Sequence, residues 1–263
     1  MLFCDIMLST SKAHFVLFFI ARNITHEILQ FRGARCAGFF LFNKGGKMKK
    51  SNIIISDITC MKEKFCIAGF DTYEKRMKRL MIDGGYWDEN QIPKTYCQIM
   101  VENEPFDEPR DYPHRTEDVN INYNSIEIIK FFEPGKELAD CLKDTVSKDI
   151  QSIFNHHVKE KSYVLQNTKC PSLGAIVISA QDIEFFTEDG KLRVSITDFS
   201  KQKYDMKVSC KYLRDIFDKT KDVVVLNNMV AESQSPHCRI GLARKFSIQE
   251  NHCYLMLNGL FLY

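Results

Sequence analysis

From Ser51 onward the chain is cut into short apolar runs, each closed by a turn signal. Asn52 to Ile58, Lys64 to Phe70 and Arg76 to Ile82 follow one another, with breaks at Asp71-Thr72-Tyr73 and Asp83-Gly84-Gly85. Runs of this length bounded by Asp and Gly read as consecutive antiparallel strands. A fourth run, Tyr96 to Glu102, comes after Pro93. Glu104 to His114 reads as loop, because Pro105, Pro109 and Pro113 interrupt it.

The spacing changes between Pro134-Gly135 and Lys159. Leu138, Leu142, Val146, Ile150, Ile153, Phe154 and Val158 recur at mostly three- and four-residue spacings, which predicts an amphipathic helix joining two halves. The second half starts near Pro171 with a strand Leu173 to Phe186, a turn at Glu188-Asp189-Gly190, and strands Lys191 to Thr197 and Lys203 to Val208. In the last of these Tyr204, Met206 and Val208 alternate with Lys203, Asp205 and Lys207, one face inward and one outward. Tyr212, Leu213, Ile216 and Phe217 stand at helical spacing, and strands Val223 to Leu226, Arg239 to Phe246 and Cys253 to Tyr263 are expected after them.

Three strands, a helix and further strands is the order of an OB-type barrel. The expected class is therefore mainly β with some α (α+β): two tandem OB-like β-barrels joined by an amphipathic helix. The expected divisions are an N-terminal extension 1–47, a first OB-like domain 48–133, a helical connector 134–170 and a second OB-like domain 171–263.

The 263 residues are 44% hydrophobic and 27% charged with 20 Phe, enough apolar material to bury a core. None of the 10 cysteines forms a CxxC pair. Cys66 between Phe65 and Ile67, Cys97 after Tyr96 and Cys253 before Tyr254 read as small buried hydrophobes, with reduced thiols and a cytoplasmic location expected.

Residues 1–47 stand apart. Their apolar run Phe15 to Ile20 is too short to span a bilayer, and Asp5 with no early Lys or Arg argues against a secretory leader. Lys44-Gly45-Gly46-Lys47 before Met48 is what AAA-GGA-GGA-AAA-ATG would encode, a ribosome-binding sequence ahead of a start codon, so Met48 is the expected first residue; an ordinary Gly-Gly linker is the alternative. The segment holds six Lys and Arg against two acidic residues, so without it Lys plus Arg falls from 36 to 30, Asp plus Glu from 34 to 32, and net charge from +2 to −2. No global basic signature for nucleic acid remains.

In the first half, the order Phe65-Cys66-Ile67-Ala68-Gly69, a basic strand ending in Arg79-Leu80, and His114-Arg115-Thr116-Glu117-Asp118 after the proline-rich loop carries a resemblance. In the second it is Val194-Ser195-Ile196-Thr197-Asp198 and Arg239-Ile240-Gly241-Leu242-Ala243-Arg244-Lys245-Phe246. Together, over most of residues 51–263, the chain resembles the dual OB domain family of bacteria. That resemblance implies tandem barrels and a place in nucleic acid modification or conflict systems, and it brings no catalytic residue with it. Met77-Lys78-Arg79-Leu80 departs from the family's pattern by lacking a proline after the arginine.

Tyr73, Lys75, Arg76, Lys78, Arg79 and Trp87 interleave cations with aromatic rings, as single-strand binders do to pair with phosphates and stack on bases; a solvated edge strand is the plainer reading. A second surface, weaker on sequence, gathers Lys201, Lys203 and Lys207 with Arg239, Arg244 and Lys245, and adds Phe199 and Phe246. His114, Glu117 and Asp118 put an imidazole beside two carboxylates on an expected loop, an arrangement open to acid–base chemistry but more often a local hydrogen-bonding cluster. His237-Cys238 and His252-Cys253 are too far apart for a compact zinc site, so no metal and no cofactor is expected. The sequence contains no glycine-rich phosphate loop, GxSxG elbow, HExxH, or HxE with PCxxC. Single-stranded DNA or RNA is the expected partner, with no membrane association. A modifying enzyme using His114, Glu117 and Asp118, and an adaptor for the protein product of a neighbouring gene, are the alternatives.

Overall fold

The computed structural model describes residues 48–106, 111–244 and 251–263. The expectations for residues 1–47, Lys245 and Phe246 fall outside them. The described chain is mostly strand, in two sheets with few helices.

The first sheet holds β1 (Lys49–Met61), β2 (Lys64–Asp71), β3 (Arg76–Ile82), β4 (Tyr96–Pro105), β5 (Asp118–Ile121) and β6 (Glu127–Phe132). β1 is long enough to serve two neighbours. Ile53–Met61 pairs with β2, and Lys49–Ile54 pairs with β4. β2 continues to β3, β3 runs parallel to β5, and β5 pairs with β4, so the pairings return to β1. Ile53, Ile67, Leu80, Trp87, Val101 and Leu138 fill the inside, and the Trp87 indole donates to the Leu80 carbonyl at 2.6 Å.

The second sheet repeats the plan. It is built from β7 (Tyr163–Leu165), β8 (Leu173–Val177), β9 (Ile183–Glu188), β10 (Lys191–Thr197), β11 (Lys203–Val208), β12 (His237–Leu242) and β13 (His252–Phe261). β8 pairs with β12 and β9 with β10, so the interrupted segment β8–β9 does what β1 does in the first sheet. β11 lies parallel to β13, as β3 does to β5. The β9–β10 turn relies on Gly190 at φ +70°, where a side chain would be strained. Val194, Ile196, Tyr204, Met206, Leu213, Leu226 and Leu257 form this core.

The long connector helix does not form. Residues 136–153 fold as α1 (Lys136–Cys141), a 3₁₀ turn at Lys143–Thr145, and α2 (Ile150–Ile153). The helical spacing has another origin. Leu138 and Leu142 anchor in the first core, whereas Ile150, Ile153, Phe154 and Val158 anchor in the second. Between them Val146 bridges to Ala175, the Ser147 amide donates to the Ala175 carbonyl at 2.8 Å, and Asp149 caps α2.

The run Val223 to Leu226 is also helical. After α3 (Lys211–Thr220) it opens α4 (Val223–Ala231). β-branched residues favour strands only weakly, and three contacts outweigh that preference. Asp222 accepts from the Val224 amide at 2.8 Å as N-cap, Leu226 and Val230 bury one turn apart, and Asn227 bonds both the amide and the carbonyl of Phe185. Asp222→Ala is expected to cost ~1 kcal/mol, read as a lower urea midpoint with unchanged slope.

Both sheets belong to one compact unit. A bulge at Ser56 sets Asp57 opposite Ala68, which stands opposite Arg79. This row faces the second sheet's row of Ala175, Arg239 and Gly259. The approach is close: a Cβ on Gly259 would lie 3.1 Å from the Ser56 carbonyl oxygen. Among the described residues no helix is long and apolar enough to cross a membrane.

Candidate functional site

β3 looks basic in sequence, yet it is buried on both faces. Lys78, 1% exposed, lies at the end of the first sheet, where its ammonium meets Asp71 at 2.8 Å, Glu74 at 2.9 Å and Ser51 at 2.8 Å. Arg79 points toward the second sheet and donates to Asp118 and to Ser172, both at 2.8 Å. Trp87 is core. These three residues are therefore corrected from ligand contacts to packing and ion-pair residues: a desolvated cation already matched by a carboxylate has nothing left to offer a phosphate.

Arg239 is corrected in the same way. It is fully buried, donating to Thr145 at 2.7 Å and pairing with Asp57 at 3.2 Å. Arg244, partly exposed, also pairs with Asp118. Arg76 is exposed but is held by Glu74 at 2.6 Å and by the Thr116 carbonyl. Tyr73, 62% exposed, and Lys75, above the Phe70 ring, remain at the β2–β3 turn.

His114, Glu117 and Asp118 do come together, but as a joint between the halves. The His114 imidazole Nε2 bonds the Leu242 carbonyl at 3.0 Å. Glu117 accepts from the Ser172 amide at 2.8 Å and from its hydroxyl, and Asp118 accepts from Arg79 and Arg244. Burial pushes Glu117 up to about 7, against the pull of Arg79. Burial, reinforced by Arg79 and Arg244, takes His114 down to about 3. The adjoining cavity, about 20 Å³, has room for a single water. A substrate-binding reading of this cluster is thereby corrected.

The two His-Cys pairs stand at opposite ends of β12–β13, since His237 is opposite Phe261 while His252 lies beyond Leu242↔Leu255. His252 stacks on Tyr163 at 3.7 Å between centroids.

One strand pair keeps its cations in water. On β10 and β11 the inward residues Val194, Ile196, Tyr204, Met206 and Val208 are buried, while Lys203, Asp205 and Lys207 are exposed. Arg193 stands directly opposite Lys207, and Thr197 opposite Lys203. Like charges so placed repel. Lys207 is held below its ordinary value by burial and then by Arg214, Lys191 and Arg193. Among the described residues no carboxylate forms an ion pair with Lys191, Lys203, Lys207 or Arg214, and Glu188 meets Arg193 at 2.8 Å. At the β10–β11 turn Phe199 is 64% exposed. The turn is fixed by Asp198, which accepts from the Ser200 amide at 3.0 Å and from the Ile150 amide at 3.0 Å. Lys203, expected from sequence as a binding residue, is exposed on this face. Arg193 and Arg214 were missed, because only the register and the fold of α3 bring them to Lys207.

No protein-family model matches the sequence, and no curated protein matches it. A solved structure described as the tetrameric p202 HIN2 is 11% identical, with 82% of this chain and 92% of that chain covered at a TM-score of 0.31. A likeness of that degree assigns neither fold nor activity.

Proposed function

We propose that the chain is a nucleic-acid-binding protein of two OB-type barrels, residues 48–133 and 171–263, and that a single strand of DNA or RNA lies across the outward face of β10 and β11. The order of pairings supports the fold reading: in each half one strand segment serves two neighbours, and the third strand runs parallel to the last. Barrels of this type take oligonucleotides on the face of their second and third strands. In the first half that face, β2–β3, is covered by the second sheet. In the second half the corresponding face, β10–β11, keeps Lys191, Lys203, Asp205 and Lys207 exposed.

One observation carries the proposal: Arg193 and Lys207 are held opposite one another with Lys203 four pairs along and an exposed ring, Phe199, at the turn. Guanidinium and ammonium groups there neutralise phosphates, and Phe199 offers a stacking surface. Tyr73, Lys75 and Arg76 are assigned a lesser, peripheral contact. Single-stranded oligonucleotides are expected to bind at low salt, with affinity falling as salt rises. Replacing Lys203 and Lys207 together by Ala is expected to reduce the log–log salt slope by roughly 2. Absence of binding to DNA and RNA of any length at low ionic strength would end the proposal.

The adaptor reading draws on β6, where Ile128, Ile129 and Phe131 are each about half exposed on a strand that pairs, among the described residues, with β4 alone. An extended peptide adds to such an edge. Co-purification of a protein that is lost on Ile129→Lys, with no oligonucleotide binding, would favour it.

A further inference from the structure

The cations on the β10–β11 face are not evenly spread. Lys191 and Arg193 at the start of β10, Lys207 near the end of β11 and Arg214 in the first turns of α3 converge at one end. Arg193 and Lys207 are register partners, and α3 begins three residues after β11 ends, with Arg214 near enough to act on the charge of Lys207. Glu188 holds Arg193, Asp215 is occupied by Lys211 at 2.6 Å and Asp218 by Lys221 at 2.8 Å, and the next row of the face carries Asp205 and Glu184, both in register with Ser195. Four cations against Glu188, with Asp205 and Glu184 one row along, leave a local surplus of about one positive charge. The Arg193 Nε is buried with no acceptor among the described residues, and an unmet buried donor is costly unless something supplies one.

This end of the face lies beside the first half. α3 packs on β1 of the first half, where the Cys60 amide donates to the Ser209 carbonyl at 2.8 Å and the Lys211 ammonium sits 5.7 Å from the Phe65 ring centre. Phe199 and Lys201 at the other end of the face are exposed, whereas the Lys207 end borders α3 and β1.

We infer that the cluster of Lys191, Arg193, Lys207 and Arg214 binds the terminal phosphate of a nucleic-acid strand, so that the protein prefers phosphorylated ends to hydroxyl ends. The inference rests on the reading of this face as the nucleic-acid interface. An internal phosphodiester brings one negative charge. A terminal phosphomonoester brings close to two, with three oxygens free to accept, and this suits a site with several converging donors. Arg214 and Arg193 supply forked N–H groups, and Lys191 and Lys207 supply point charges.

The test is fluorescence anisotropy on one labelled oligonucleotide prepared with a 5′-phosphate, with a 3′-phosphate, and with hydroxyls at both ends. One phosphorylated form is expected to bind about tenfold tighter than the hydroxyl form. Arg214→Gln and Lys191→Gln, on a half-exposed and an exposed position, are each expected to erase that difference while changing hydroxyl-end affinity less than about threefold; circular dichroism checks that each variant is folded. Equal binding of all three forms overturns the inference and leaves the interface reading standing. No binding of any form overturns both. Inorganic phosphate competing at the same concentration as the phosphorylated oligonucleotide would show an isolated anion site, and would likewise overturn recognition of a strand end.

Discussion

Replacing Arg239 by Met is expected to lower unfolding free energy by about 3–5 kcal/mol. Met replaces the aliphatic stem but not the guanidinium, so the loss combines the void this leaves with the larger cost of the unpaired carboxylate. Asp57, 2% exposed at its side chain, receives Arg239 and the Ser56 hydroxyl on Oδ2, while its Oδ1 has no partner among the described residues. Without the guanidinium a buried carboxylate stands uncompensated at the junction of the two sheets. The double variant Asp57→Leu with Arg239→Met removes both charges and is expected to recover most of the loss, because an ion pair replaced whole by apolar groups is often neutral. Urea unfolding of the single and double variants checks this. If the folded single variant also lost oligonucleotide binding, Arg239 would have to be returned to the interface.

Stability is expected to fall on acidification, steeply below about pH 4.5. His114 and His237 are both buried and both held down to about 3, His114 by burial with Arg79 and Arg244, His237 by burial with Arg239. A depressed histidine is neutral in the folded protein. Its contribution is therefore whole above the unfolded value near 6.5 and is lost as pH falls toward 3, at roughly 1.4 kcal/mol per pH unit for each. Glu117 acts in the opposite sense. Raised to about 7, it contributes stability that is whole below its unfolded value of 4.5 and is lost as pH rises through 7. Between pH 6.5 and 4.5 two histidines oppose one carboxyl, leaving a net loss of roughly 3 kcal/mol. Below 4.5 Glu117 no longer offsets them, and Asp118, held low in spite of burial by Arg79 and Arg244, adds to the loss. His114→Gln is expected to flatten the profile between pH 6.5 and 4.5. An unchanged slope would mean that His114 is free to protonate in the folded state.

The strands were legible because their apolar runs are short and their turns carry Asp and Gly. β3 and β10 were read to the residue, and so was the alternation along β11. Two helices were misread for one reason: a sequence shows the spacing of apolar residues but not which core each enters. Leu138 and Ile150 serve different cores, and Val223 to Leu226 is held helical by Asp222 and Asn227. β5 and β6 were missed, being short and polar or lying at an edge.

The site was half legible. Nothing in Arg76-Met77-Lys78-Arg79 tells a solvated basic strand from one whose outer face is covered by a second sheet, since the covering residues lie about 160 positions away in the chain. The same ambiguity hid the value of β11. Its lysines stay exposed only because the second half uses its other strands, β8, β12 and β13, to meet the first. Two similar sheets packed in this asymmetric way leave the cations of β11 exposed and Lys78 and Arg79 of β3 buried.

Anisotropy of a single-stranded oligonucleotide at low salt tests that asymmetry most directly, comparing the protein with Lys203→Ala/Lys207→Ala and with Tyr73→Ala/Arg76→Ala. The expected result is at least a tenfold loss for the β11 pair and less than about threefold for the β2–β3 turn pair. The reverse order, with the turn pair abolishing binding and the β11 pair leaving it intact, would contradict the assignment of the β10–β11 face.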